Sequence, residues 1–114
     1  MEVENAIIES VMLGYEDHGI MTAMVYLKFG SSGQGFGGYA LDRYDDGLKR
    51  RTATGSMGVF VAGVLGAVGC ERWEKLVGKP CRIKRERPRG DITEIGNLIE
   101  EKWFCPKEAF KGID

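Results

Sequence analysis

The chain has 114 residues with 43% hydrophobic and 29% charged side chains, which fits one soluble domain, residues 1–114, with a modest core. A net charge of −1 argues against a general polyanion binder, and no basic stretch followed by an apolar one marks a secretory signal. Three widely spaced cysteines (Cys70, Cys81, Cys105) suit free thiols in a reducing compartment, and a single histidine with no C-x-x-C pair argues against a structural zinc site.

Charge is unevenly placed. Residues 1–46 hold eight acids and two bases, whereas residues 71–89 hold eight bases and three acids. The basic segment is read either as a solvated strand face or as a match for an anionic partner.

Residues 3–13 have the composition of a strand. The tetrad Glu16-Asp17-His18-Gly19 is a turn signature, and residues 20–29 alternate loosely, so residues 3–29 are predicted to form a long antiparallel hairpin. His18 reads as a surface turn residue, because no serine, cysteine or second carboxylate is spaced to form a triad with it.

Between Gly30 and Gly38 five of nine residues are glycine. Such density in so short a run implies tight bends, positive φ, or a backbone that something approaches closely. With Phe36 and Tyr39 nearby, main-chain N–H groups of Gly35 and Gly37 can cradle a phosphate or sugar while a ring stacks on a base. The plainer alternative is a hairpin connection with two core aromatics. Gly33, Gly35 and Gly38 satisfy G-x-G-x-x-G, yet no helical period begins after them, which excludes a dinucleotide-binding turn. Residues 36–41 are predicted as a short third strand.

Residues 42–52 form a polar connection with an Asp46-Gly47 turn. Lys49, Arg50 and Arg51 precede a helix whose positive dipole end they oppose, which favours a role in contacting an anion. No charge occurs from Thr52 to Cys70. Thr54 or Ser56 is expected to cap this helix and Gly69 to end it. Its apolar stretch is about half a membrane span. Apolar on every face, it is expected to be buried all round, with Ala62, Gly63, Gly66 and Ala67 admitting a second backbone. This predicts a homo-oligomer with the helix at or near the interface.

Residues 71–78 suggest a short helix with Trp73, Leu76 and Val77 inward. Residues 81–86 and 92–99 suggest a second hairpin around Arg87-Pro88-Arg89-Gly90, with Arg82 and Lys84 on one face and Cys81 and Ile83 on the other. Thr93, Ile95, Asn97 and Ile99 are expected to share a face. The Asn97 amide there must be satisfied by protein or by ligand. Trp103 and Phe104 read as lid residues, one of which is placed to border a base, and Pro106 begins a helical turn. The fold class is therefore α+β, an antiparallel sheet of about five strands with a central apolar helix and short helices.

Several stretches together resemble a family of small phage proteins, the first-described type of Thoeris anti-defence (Tad) protein. They are Asn5-Ala6-Ile7-Ile8-Glu9-Ser10, Glu16-Asp17-His18-Gly19-Ile20, Gly33 to Asp42, Trp73-Glu74-Lys75-Leu76 with Gly78-Lys79, and Ile95-Gly96-Asn97-Leu98-Ile99 with Lys102-Trp103-Phe104. The resemblance runs along nearly the whole chain. It implies a protein that binds a cyclic ADP-ribose immune signal in the host cytoplasm, and in some members cyclic oligonucleotides, without cleaving it. It further implies no cofactor, no enzymatic activity, and a dimer or hexamer with pockets near the dimer interface. Asn97 matches a family pocket amide. The family's pocket arginine on the central helix has no counterpart here, and where the family has an aromatic before the asparagine this chain has Arg87-Pro88-Arg89.

Together these readings nominate Gly35, Phe36, Gly37, Tyr39, Arg87, Arg89, Asn97 and Trp103 as ligand-binding residues, with no catalytic or metal-ligating residue. The alternatives are a nucleic-acid-binding module using residues 82–89, or a structural phage protein. A membrane partner is not expected.

Overall fold

A computed structural model describes residues 2–113. Strands β1 (Glu2–Glu16) and β2 (Ile20–Phe29) form the expected hairpin, closed by a 3₁₀ turn in which His18 (φ 67°) and Gly19 (φ 72°) both take left-handed angles. β3 (Ser32–Gly37) pairs with β2, and β6 (Pro80–Arg85) pairs with the first half of β1. β7 (Ile92–Gly96) and β8 (Trp103–Phe104) complete a six-stranded antiparallel sheet in the order β3-β2-β1-β6-β7-β8. A separate ribbon of β4 (Asp42–Asp45) and β5 (Arg50–Ala53) leads into helix α1 (Ser56–Val68), and α2 (Pro106–Ala109) is the Pro-started turn near the C-terminus. This is the expected α+β class. Four of the five anticipated strands form near their expected positions, but the third is displaced. β3 covers Ser32–Gly37 inside the glycine-rich run and meets the expected residues 36–41 only at 36 and 37, because Gly37 and Gly38 take positive φ (122° and 79°) and end the strand there. The short strands β4, β5 and β8 are added to them.

The sheet is strongly curled. Three strands separate β3 from β7, about 19 Å in a flat sheet. Yet the Gln34 side chain on β3 accepts a hydrogen bond from the Ile92 amide (2.6 Å) and donates to the Gly90 carbonyl (3.4 Å) at the start of β7. The concave face therefore gathers Ile8, Val25, Leu27, Phe36, Cys81, Ile83, Ile95 and Phe104 into one core. Helix α1 fills the gap between the two ends of the sheet. Its fully buried Phe60 lies 5.9 Å from Phe36 on β3 and 5.8 Å from Phe104 on β8. At Gly63 any side chain would overlap the Phe104 ring, so this glycine sets how closely helix and strand approach.

Several local expectations are corrected. Neither Thr54 nor Ser56 caps α1: their hydroxyls bond each other at 2.6 Å, and Thr54 donates to the Leu41 carbonyl. Gly69 does end the helix, with φ 84° and its N–H bonded to the Leu65 carbonyl. α1 is not buried all round. Phe60, Val64, Ala67 and Val68 face the core, while Gly58, Ala62 and Gly66 form an exposed outer stripe. Residues 73–75 make only a 3₁₀ turn, with Leu76 buried and Val77 outside. Thr93, Ile95, Asn97 and Ile99 do not share a face, because an irregularity in the β6–β7 pairing shifts the alternation and β7 ends at Gly96.

Candidate functional site

The eight nominated residues fall into three places. The first is the glycine-rich edge. Gly35 and Gly37 lie on β3, an edge strand, where alternate backbone groups point away from β2. Gly37 needs to be glycine: φ is 122°, and a side chain would run into the Ala23 carbonyl and approach Phe60. Phe36 points the opposite way and is 1% exposed, so its ring belongs to the core and presents no face to a ligand. Through Gln34 this strand is fastened to the β6–β7 turn carrying Arg87 and Arg89. Both arginines are exposed and neither forms an ion pair among the described residues. Arg89 sits at φ 65°, and the Gly90 amide closes the turn onto the Arg87 carbonyl at 2.9 Å. Gln34, which sequence reasoning passed over, joins the glycine strand to the arginine turn. Its one signal is a polar side chain in register with the core position of Phe36.

The second place is the Asn97–Trp103 cluster. Asn97 donates to the Val68 carbonyl at the end of α1 (3.2 Å), and its side-chain oxygen accepts from the amides of Ile99 and Glu100 (3.0 Å each). The protein itself thus satisfies this amide. The Trp103 indole packs across Gly96, where a side chain would overlap it, and donates to Glu101 at 2.7 Å. Arg82 and Lys84 lie 4.8 and 4.1 Å from its ring centroid. Arg82 also clamps the carbonyls of Asn97 and Glu100 (2.7 and 2.8 Å). The indole hydrogen bond, and then the Arg82 charge, hold the Glu101 carboxyl below its usual range. This cluster is held mainly by its own internal contacts.

Tyr39 stands alone. Its ring meets Phe110 edge-on at 5.3 Å, and burial, reinforced by Cys105, pushes its hydroxyl pKa upward. It borders a hollow of about 420 Å³ whose other walls include Glu86, Asp91, Glu94 and Glu108, an environment that repels an anion. Among the described residues Lys107 is the one base lining it.

Of the bases before α1, Arg51 is taken up by the ion pair with Asp42 (2.8 Å) that anchors the β4–β5 ribbon. Lys49 and Arg50 stay exposed and form no ion pair among the described residues. Three more cations gather elsewhere. Arg72, Lys75 and Lys79 line a hollow of about 450 Å³ beside Gly69, with Glu71 as the one carboxylate there among the described residues. Another hollow of about 470 Å³, between Ile7, Phe29, Pro80 and Leu98, touches none of the nominated residues.

What fold and site define is an α+β domain whose curled antiparallel sheet carries an arginine-bearing turn against a glycine-rich edge. No family model, curated protein or solved structure matches this chain.

Proposed function

We propose that the protein binds and sequesters a small anionic cyclic nucleotide without cleaving it, acting against a host immune signal as a phage anti-defence protein in the host cytoplasm. A cyclic ADP-ribose isomer is the first candidate ligand and a cyclic oligonucleotide the second. One observation carries the reading: two exposed arginines with no ion-pair partner among the described residues sit on a turn that Gln34 ties to the glycine-rich sheet edge. Guanidinium groups suit a pyrophosphate, and a sheet edge supplies backbone donors. The motif resemblance points to the same ligand class. Arg87, Arg89, Gly35 and Gly37 are the contacts proposed here. Asn97 and Trp103 act as the frame of the neighbouring loop, and Phe36 and Tyr39 as packing. The active form is a homo-oligomer.

The test is to mix the purified protein with a cyclic ADP-ribose isomer, remove free ligand, heat, and identify what is released. Intact ligand is expected. Recovery of hydrolysed product instead would make the protein an enzyme, and no retention would overturn the reading. A second reading, nucleic-acid binding, draws on the cations of Arg72, Lys75 and Lys79. Steeply salt-dependent binding to any single strand would favour it.

A further inference from the structure

Two glycines of the 30–38 run are unexplained by the backbone. Gly30, Gly37 and Gly38 have positive φ, but Gly33 and Gly35 do not. At Gly33 an added methyl would meet only the Leu27 carbonyl, at 3.4 Å. At Gly35 it would overlap the terminal methyl of Met24 and touch Tyr26 Cδ1 and Cε1 at 3.5 Å. The obstacle at Gly35 is therefore the far end of a flexible thioether side chain, not the fold.

Gly33 pairs with Lys28 and Gly35 with Tyr26, so both glycines lie on the outer face, opposite the core. There they leave a strip of bare edge strand. Tyr26 flanks it at 37% exposure, Lys28 stands at one end, and the Met24 methyl rests on its floor. The strip adjoins a hollow of about 440 Å³ lined by Ile20, Thr22, Met24, Tyr26 and Gly38 on the same face, with Glu16 and His18 at its far rim. That volume is in the range of small-molecule sites. A second aromatic-over-glycine pair, Trp103 on Gly96, shows the contrast: its ring already carries Lys84 and Arg82, whereas among the described residues no cation is placed on the Tyr26 ring.

We propose that this strip seats a planar nucleobase. The ring displaces the Met24 methyl and lies on the Gly33–Gly35 backbone against Tyr26, with Lys28 beside its edge at the end of the strip. Tyr26, Lys28 and Met24 thereby become ligand-contacting residues in place of Phe36 and Tyr39. The inference rests on the reading that the ligand is a nucleotide, and its test separates the two.

The ¹⁵N-labelled full chain is titrated with a cyclic ADP-ribose isomer and, separately, with adenosine, following amide shifts and binding heat. Amides of Gly33, Gly35 and Tyr26 are expected to move with both. Tyr26→Ala and Gly35→Ala should each weaken binding about tenfold or more, as loss of one stacked base does. Gly35→Ala should melt no lower than wild type, because alanine lowers the entropy of the unfolded chain. Full-strength binding of the cyclic nucleotide by both variants, with shifts confined to the arginine turn, would overturn the nucleobase seat and leave the proposed function standing. Adenosine moving the glycine amides while the cyclic nucleotide fails to bind would do the reverse. No response to either ligand overturns both.

Discussion

At Asn97 one amide closes three backbone gaps: the last carbonyl of α1 and two amides of the following loop. Replacing it by alanine takes a partner from the Val68 carbonyl in a part-buried position, while the exposed Ile99 and Glu100 amides turn to water, at a cost of about 1 kcal/mol. Asn97→Ala should therefore lower the urea midpoint at unchanged slope. If Asn97 instead served only a ligand, stability would not move. Cys81 is fully buried, and burial pushes its thiol pKa to about 12, whereas Cys70 and Cys105 are half-buried. Since the thiolate is the reactive form, a thiol reagent at pH 8 should label Cys70 and Cys105 first and reach Cys81 only on unfolding. Asp42 supplies a pH response. The Arg51 hydrogen bond, aided by the Met21 amide, holds its carboxyl below the usual 3.8. The unfolded chain thus takes up this proton more readily than the folded one. The stabilisation is present at neutral pH and is lost as pH falls from about 4 through the folded pKa. Asp42→Asn should flatten that acid limb in thermal melts taken from pH 5 to pH 2.

Among the elements, α1 shows what packing does to a uniformly apolar sequence. Its residues do not say which face is inward, because no charge marks the outside. The sheet ends decide it, through Phe36 and Phe104 closing on Phe60. Gly63 is the tightest point. Gly63→Val would drive a branched side chain into the Phe104 ring and should cost about 1–3 kcal/mol in chemical denaturation, as overpacking does. The same change at Gly66, where an added Cβ meets nothing, should leave core packing intact. The long strands β1 and β2 were legible because strand-forming residues run over 15 and 10 positions, and the shorter β6 because Cys81 and Ile83 alternate with Arg82 and Lys84. Irregularities near Glu9 and Thr93 were not, since one extra residue reverses the face of all that follow. The β4–β5 ribbon was illegible for another reason: its residues are polar, and it is held by Asp42 with Arg51 and by the Asp45 carboxylate accepting the Leu48 amide. At the candidate site, the arginine turn could be read from Arg-Pro-Arg-Gly. Its junction with the glycine strand could not, because that depends on the sheet curling until Gln34 reaches Ile92.

On the scale of the molecule, folding rearranges the charge imbalance of the sequence. The acidic N-terminal strand lies beside the basic β6, with Glu4 paired to Arg85, while Lys84 meets Glu94 and Arg82 meets Glu101. Among the cations that stay open, Arg87 and Arg89 share one turn and Arg72, Lys75 and Lys79 gather beyond the end of α1, while Lys28, Arg43, Lys49, Arg50 and Lys107 are exposed elsewhere. The outer stripe of α1 carries no charge: Gly58, Ala62 and Gly66 recur every four residues, flanked by partly exposed Val61 and Leu65. A second copy of this helix can approach such a surface closely and exclude water from both. The proposed homo-oligomer is therefore expected to form through α1, and Ala62→Glu should break it by placing a carboxylate at the middle of the stripe, where a like charge from the partner would face it. Light scattering coupled to size exclusion at micromolar concentration should give more than one chain mass for wild type and one for the variant. Because Ala62 is exposed, the variant's melting curve, extrapolated to low concentration, should match wild type, separating lost assembly from lost folding. Wild type running as a single chain at that concentration would refute the helix interface, and an Ala62→Glu oligomer would move it to another face.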